Sequence, residues 1–498
     1  MHSRPNIVVF LMDDLGWQDA SVPFHTEITP FNRRYHTPNL ERLAADGVKF
    51  TQAYAHCVCT PSRVSLMTGL SPARHRVTNW TFEKNQIKAS ERDHPSLIFP
   101  MWNVNGLSPV PGYENAVHAI ALPMLLRQAG YHTIHVGKAH FGAVDTPGAD
   151  PRNLGFDVNI AGHAAGAPAS YYGKDHFGHK LEERKRLWAV PGLSKYHGKD
   201  IHLNEALTRE AVKQIDRAVE TGKPFFLYMA HYAVHTPIQA DHRFHQKYVD
   251  AGLDPIESQY ASMIESYDKS LGDIMRCLRR LGIEDQTIIL FMSDNGGLSV
   301  HQRGGEPNTH NKPLSSGKGS AHEGGIRVPM VVKWPGVARG GSVCDVPVII
   351  EDFFPSILEM AGVTDYRQIG GKLDGVSFVP LLRQTSYLPS NGQAEIRRFP
   401  QDRPLHWHYP NNWGPTGPGI GASSTIRKGD WKLIYYHLDG RYELFNIAED
   451  IGETRNLADQ EPRRVELLAD QLRHYLLEVD AQMPTRKDTG KPVPLPGA

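Results

Sequence analysis

Four short apolar runs constrain this chain more than any other feature in it. Ile7–Met12 ends in Asp13-Asp14, and Thr287–Met292 ends in Ser293-Asp294-Asn295. Phe225–Ala230 leads to His231 and His235, and Tyr131–Val136 leads to Lys138 and His140. Uninterrupted β-rich runs of this length predict strands buried on both faces of a parallel sheet. Amphipathic helical patterns lie between them. In Thr37–Gly47, Leu40 and Leu43 share a face and Gly47 reads as a stop. Alternating strand and helix predicts an α/β sheet with helices on both sides. Ligands of such sheets bind beyond the carboxyl ends of the strands. All four runs carry Asp, Asn, Lys or His at that end, so these residues can converge on one site.

The 498 residues exceed what one core usually supports, which predicts a large domain and a smaller one. The texture changes near residue 385, and Pro, Asn and Gly cluster through Tyr409–Gly419. Two strand candidates, Ser424–Tyr436 and Tyr442–Ile447, flank a turn-like Asp439-Gly440, and a helical pattern runs from Glu461 to Leu477. The expected division is 1–384 and 385–498, the second part an α+β subdomain with a small antiparallel sheet and a terminal helix. Lys+Arg and Asp+Glu both total 54, so no net field draws nucleic acid or an anionic membrane. No stretch reaches the length of a membrane span. The first residues lack the pattern of a secretory leader, so the expectation is a cytoplasmic protein, or a periplasmic or secreted one whose leader was removed. Cys57, Cys59, Cys277 and Cys344 are too few for a disulfide framework, and none forms a Cys-x-x-Cys zinc pair.

Asp13, Asp14, Asp294 and Asn295 are hard oxygen donors that suit Ca²⁺ or Mg²⁺ better than zinc. Three carboxylates brought together would repel one another without a cation. The sharpest segment is Cys59-Thr-Pro-Ser-Arg-Val-Ser-Leu-Met-Thr-Gly69. Pro61 and Ser62 suit a helix start, which places Cys59 near the helix's positive end and Arg63 in its first turn. An anionic nucleophile or a bound oxyanion is favoured there. On general chemistry alone, a buried Cys before an ordinary helix reads equally well.

Cys59-Thr-Pro-Ser-Arg63 with Met67-Thr-Gly69 resembles the type I sulfatase signature Cys-x-Pro-Ser-Arg-x-x-x-Leu/Met-Thr-Gly. The resemblance spans most of the chain. Pro5-Asn-Ile, Asp13-Asp14-Leu-Gly16, Gly137-Lys-Ala-His140, His235-Thr-Pro237, Asp294-Asn-Gly-Gly297, Gly317-Lys-Gly319 and Glu323-Gly-Gly325 resemble the family's other blocks in order. Ile426–Lys432 and Glu443–Asn446 resemble its C-terminal subdomain. The resemblance implies an alkaline-phosphatase-like fold, a large mixed and mostly parallel sheet flanked by helices, with 1–384 as the catalytic domain. It implies hydrolysis of a sulfate monoester, on a sulfated carbohydrate, through a formylglycine made from Cys59 by a formylglycine-generating enzyme. It further implies one Ca²⁺ (or Mg²⁺) on Asp13, Asp14, Asp294, Asn295 and residue 59. Arg63 would help acidify the nucleophile, and Lys138 and Lys318 would neutralise the transferring sulfate. His235 would protonate the departing oxygen, and His140 would take the proton whose loss expels sulfate. His406 and His408, in a region where carbohydrate sulfatases place substrate contacts, are candidate sugar contacts or else parts of a structural strand.

Two positions depart from the common pattern. His322 stands where the family often has an aromatic, and Ser315 where an Arg is frequent. The nearest alternative is a phosphonate monoester or phosphodiester hydrolase on the same core. A catalytically silent carbohydrate-binding relative would have lost some of Cys59, Arg63, His140, His235 or Lys318, and all are present.

Overall fold

A computed structural model describes residues 4–88, 93–299, 303–365, 372–384 and 399–497. The main sheet comprises β1 (Asn6–Met12), β2 (Val48–Tyr54), β3 (His132–Gly137), β4 (Val158–Ile160), β5 (Phe225–Ala230), β6 (Thr287–Ser293), β7 (Arg327–Lys333), β8 (Ser342–Cys344) and β9 (Val348–Ile349). Their order is β8-β2-β7-β6-β1-β5-β3-β4, with β9 also paired to β2. The four apolar runs are therefore neighbours, β6-β1-β5-β3, and all of their pairings are parallel. Val9 sits opposite both Tyr228 and Leu290, so the strand ends are aligned. Only β7 runs against its neighbours β6 and β2.

Continuous apolarity follows from burial on both sides. Ile7, Val9 and Leu11 join one core with Val64, Leu66 and Met67 of α2 (Cys59–Thr68) and Phe353, Phe354 and Ile357 of α5 (Phe353–Met360). Val8, Phe10 and Met12 join the other with α1 (Pro38–Asp46), α3 (Leu203–Glu220) and α4 (Pro255–Arg280). Burying each such aliphatic side chain is worth roughly 1.5–3 kcal/mol, which makes the sheet a stiff platform. Leu40 and Leu43 of α1 are buried as their spacing predicts. Gly47 ends that helix with extended backbone rather than a left-handed turn. The reason for glycine is space, because a Cβ would meet Val332 O at 2.7 Å.

The C-terminal part holds an antiparallel sheet of β10 (Leu405–Tyr409), β11 (Ser423–Lys428), β12 (Trp431–Tyr436) and β13 (Tyr442–Asn446), in that order. The run Ser424–Tyr436, read from sequence as one strand, is two, because the chain reverses at Gly429 with φ 56°. α6 (Pro462–Glu478) packs Leu468, Leu472 and Leu476 on Ile426, Leu433 and Leu444. The expected boundary at 384/385 falls at the edge of residues 385–398, outside the described residues. Among the described residues, no helix is long and apolar enough to cross a membrane.

Candidate active site

The aligned strand ends deliver their polar residues to one place. Asp13 and Asp14 follow β1, Asp294 and Asn295 follow β6, His235 follows β5, and Lys138 and His140 follow β3. Gly137 makes that delivery possible, because a Cβ at its φ of +104° would lie 1.8 Å from Ala230 O. Asp14 and His140 both hold left-handed backbone, φ 62° and 55°. Non-glycine residues keep such conformations only where the surroundings impose them. Cys59 opens α2, whose ten residues are all buried, and its Sγ lies 3.7 Å from Asp13 Oδ1.

Each carboxylate has its own cation. Arg63 Nε and Nη2 both reach Asp294 Oδ2 at 2.8 Å. Lys138 Nζ donates to Asp13 Oδ2 at 2.7 Å, and Lys318 Nζ lies 2.7 Å from Asp14 Oδ1. The mutual repulsion expected of three clustered carboxylates is thus offset within the chain. Burial, opposed by Lys138 and reinforced by Asp294 and Asp14, pushes the Asp13 carboxyl up to about 8. Asp14 goes the other way, held low by Lys318, His235 and Lys138 against its burial. The Cys59 thiol is pushed up to about 12 by burial, despite Lys138 and Lys318, so an unmodified Cys59 is a neutral thiol at physiological pH.

One observation bears directly on a metal. Asn295 Nδ2 donates to Asp14 Oδ1 at 2.8 Å, while its own Oδ1 is buried with no hydrogen-bond partner. An acceptor left like this costs about 1–3 kcal/mol, and a hard cation would satisfy it. Single ligand atoms of Asp13, Asp14, Cys59 and His235 also lie within 4.8 Å of one another. The residues present therefore fit a hard divalent ion. His235 joins this compact group although the sequence suggested no metal role for it.

The two histidines are set up differently. His140 Nε2 lies 2.7 Å from Thr81 O, and a carbonyl only accepts, so Nε2 carries the proton. Nδ1 has no partner and keeps its lone pair. Burial and then Lys138 hold this ring neutral. His235 Nδ1 donates to Thr236 O at 2.8 Å, leaving Nε2 facing Asp14 Oδ2 at 3.7 Å. Burial and Lys318 push His235 down to about 3.

Cys59, His140, His235 and Lys318 line one cavity of about 380 Å³, together with Trp80, Lys88, Trp188 and Trp413. His406 and His408 do not line it. His406 stacks on Tyr475 with ring centroids 3.7 Å apart. His408 is buried, bonded to Ser424 Oγ at 2.8 Å and Gln482 O at 2.9 Å. Strand alternation explains the miss. Trp407 takes the face toward the catalytic core, donating to Ala55 O at 2.9 Å, and its neighbours take the other. The residues of this region that reach the cavity are Trp413, Gly414 and Pro415, inside the Tyr409–Gly419 cluster. Sequence also gave no sign of buried Arg303, which pairs with Asp19 at 3.1 Å and Glu257 at 3.0 Å. Asp19 Oδ2 in turn accepts from Gly16 N at 2.9 Å and so pins the loop carrying Asp13 and Asp14. The two departures from the family pattern touch each other. His322 Nδ1 meets Ser315 Oγ at 3.0 Å, and Nε2 meets Glu443 Oε2 at 3.0 Å, bridging to β13.

Comparison with known proteins agrees with this geometry. The Sulfatase family profile matches residues 5–363, and the profile for the N-sulphoglucosamine sulphohydrolase C-terminal region matches 317–482. A sulfatase of Formosa agariphila is 27% identical over 96% of this chain and 90% of its own. The N-acetylgalactosamine-6-sulfatase of Mus musculus is 31% identical over 91% of this chain and 76% of its own. The crystal structure of Ps i-CgsB in complex with k-i-k-neocarrahexaose superposes with a TM-score of 0.70 at 26% identity, covering 95% of this chain and 93% of that one. Matching blocks, a shared mixed sheet and a helix-borne Cys59 among paired carboxylates point the same way: this chain belongs to the sulfatase family and is a sulfuric ester hydrolase.

Proposed function

We propose that the protein cleaves a sulfate monoester on a carbohydrate, with Cys59 converted to formylglycine and one Ca²⁺ (or Mg²⁺) held by Asp13, Asp14, Asp294, Asn295 and residue 59. The observation that carries the reading is the ring of paired carboxylates and cations around Cys59 on the cavity floor. The saccharide part is supported by relatives whose names specify N-acetylgalactosamine 6-sulfate and a neocarrahexaose complex. A buried neutral thiol is a poor nucleophile, which is the chemical case for modifying it. Once formed at residue 59, the formylglycine hydrate would supply two hydroxyls, one to be deprotonated for attack on sulfur and one whose proton loss would expel sulfate and restore the aldehyde. A metal held by Asp13, Asp14, Asp294 and Asn295 would supply positive charge that acidifies the attacking hydroxyl.

The chain's own residues do the rest. Arg63 holds Asp294 and adds positive charge beside residue 59. Lys138 and Lys318 exchange carboxylate contacts for sulfate oxygens and offset their charge. His235 Nε2 gives a proton to the departing alcohol oxygen; the negative charge of bound sulfate raises its basicity from the empty-cavity value. His140 Nδ1, with its free lone pair, takes the proton of the second hydroxyl. Since α2 is wholly buried, a formylglycine-generating enzyme must reach Cys59 before the chain closes over it. The test is hydrolysis of 4-nitrophenyl sulfate beside a bis-aryl phosphodiester, with and without a chelator. Sulfate turnover that a chelator abolishes and Ca²⁺ restores is expected. Faster phosphodiester turnover would transfer the assignment to the phosphoesterase alternative.

A further inference from the structure

The residue after Cys59 spends its side chain on another segment. Thr60 is fully buried in the first turn of α2, and its Oγ1 accepts from Thr81 N at 3.1 Å. Thr81 is buried too, in a stretch with no helix or strand to satisfy its backbone groups. Its carbonyl is the one that receives the His140 Nε2 proton, at 2.7 Å. The next residue is also fixed. Phe82 O accepts from Val144 N at 2.7 Å, and the Phe82 ring stacks on Trp188 with centroids 4.0 Å apart. Thr81 is therefore tied on one side to the helix of Cys59 and on the other to the loop that follows His140. Gly166 gives the imidazole its space. A Cβ there would lie 2.3 Å from Cε1 and 2.6 Å from Nδ1 of His140.

An imidazole is a base at one nitrogen only while the other nitrogen holds the proton. The bond from Nε2 to Thr81 O keeps the proton there and leaves the Nδ1 lone pair free. A Thr81 carbonyl that turned away would let the proton sit on either nitrogen. A ring protonated at Nδ1 donates where it should accept. Two hydrogen bonds in series, Thr81 N to Thr60 and His140 to Thr81 O, thus register the base against the residue beside the nucleophile. Small misplacements of such groups are costly to a reaction. Thr60 stands at the open position of Cys-x-Pro-Ser-Arg, so the signature itself gives it no task.

We propose that Thr60 is a positioning residue for His140, acting through Thr81 to hold the ring in the tautomer whose Nδ1 accepts a proton. The kinetic part rests on the sulfatase reading above, in which His140 takes the proton whose loss expels sulfate. Thr60→Val keeps the shape and removes the acceptor, whereas Thr60→Ser keeps the acceptor. Tm checks that each variant is folded, and Thr60→Ala replaces Thr60→Val if the latter is not. The first readout needs no turnover. In full-length protein labelled with ¹⁵N-histidine, the NMR signals lost in His140→Ala identify that ring. They should show a protonated Nε2 and a bare Nδ1 in the wild type and in Thr60→Ser, and a mixture of tautomers in Thr60→Val. The second readout is sulfate release from 4-nitrophenyl sulfate per residue 59 carrying the aldehyde, counted by peptide mass spectrometry so that poorer maturation is not read as poorer catalysis. Thr60→Val should lower this rate about ten-fold, the scale of one hydrogen bond, behind a burst of nitrophenol. Thr60→Ser should run at the wild-type rate. In a His140→Ala background Thr60→Val should cost nothing further, because the group it acts through is gone. An unchanged tautomer in Thr60→Val, an unchanged rate per aldehyde, or an equal loss with and without His140 overturns the proposal. No sulfate release by the wild type sinks the sulfatase mechanism instead, and the tautomer then decides alone on Thr60.

Discussion

At the scale of single residues, the free lone pair on His140 and the carbonyl-bonded ring of His235 predict different kinetic failures. If His235 protonates the leaving oxygen, His235→Ala should lose roughly two to four orders of magnitude on a sugar sulfate. It should lose much less on 4-nitrophenyl sulfate, whose phenolate leaves without help. His140→Ala should instead release the first equivalent of alcohol rapidly and inorganic sulfate slowly, seen as a burst in rapid-quench assays. Equal losses on both esters together with no burst would refute the proton pathway. Peptide mass spectrometry of active enzyme should find residue 59 as an aldehyde or its hydrate and Cys57 as a thiol. Full activity with unmodified Cys59 would remove formylglycine from the mechanism. Arg63 has no such freedom to be tested cleanly, because its loss strands the buried Asp294 carboxylate. A folding defect is the expected result there, about 3–5 kcal/mol.

Among elements, the joint between the main sheet and the C-terminal sheet is a buried charge chain. Lys432 on β12 is fully buried between Glu323 Oε1 at 3.0 Å and Glu453 Oε1 at 2.8 Å. Lys432 and Arg327, working against burial, pull the Glu323 carboxyl down to about 2. Lys432→Met should therefore cost about 3–5 kcal/mol by removing the lysine from Glu453 and leaving Glu323 with only the cation Arg327, 3.3 Å away, read as a fall in Tm. Adding Glu323→Gln should recover part of it, and a Tm within one degree of wild type would mean the joint is held by packing alone. The elements that sequence made legible are those with local signals. The four apolar strands, α1 and α2 each carry their burial pattern in consecutive residues. The joint carries none, since Glu323 and Lys432 meet only through the fold. The same division holds at the site. Asp13, Asp14, Asp294 and Asn295 end apolar runs, and Cys59 opens a recognisable motif. Trp80 and Lys88 share one loop, Trp188 and Trp413 come from two others, and tertiary packing brings the three together. His406 and His408 misled because alternation along β10 faces them away from the cavity.

For the whole molecule, the abundance of histidine sets how stability responds to acid. The chain has 26 His against equal totals of 54 for Lys+Arg and Asp+Glu, so acidification quickly makes it cationic. Several rings are buried and kept neutral by desolvation: His75, His135 and His231 are pushed down to about 3, and His202 and His408 to about 4. Their ordinary value is 6.5, so on acidification the unfolded chain takes up these protons first. The stability they contribute is complete above 6.5 and drains away as pH falls toward 3 to 4. Each ring can remove up to about 1.4 kcal/mol per pH unit in that window. Paired carboxylates behave differently. Glu257 and Glu323 are pulled down to about 2 from 4.5, so their stabilisation persists until pH drops below 4.5. The two classes predict a two-stage profile at constant ionic strength. Tm should begin to fall just below pH 6.5 and fall more steeply below 4.5. Substituting His408→Gln, whose amide can still bond Ser424, should flatten the first stage slightly while leaving the second intact. A Tm that stays level from pH 7.5 to 5 would show that the buried histidines find protonated arrangements the neutral fold does not reveal, and that carboxylates alone govern acid unfolding.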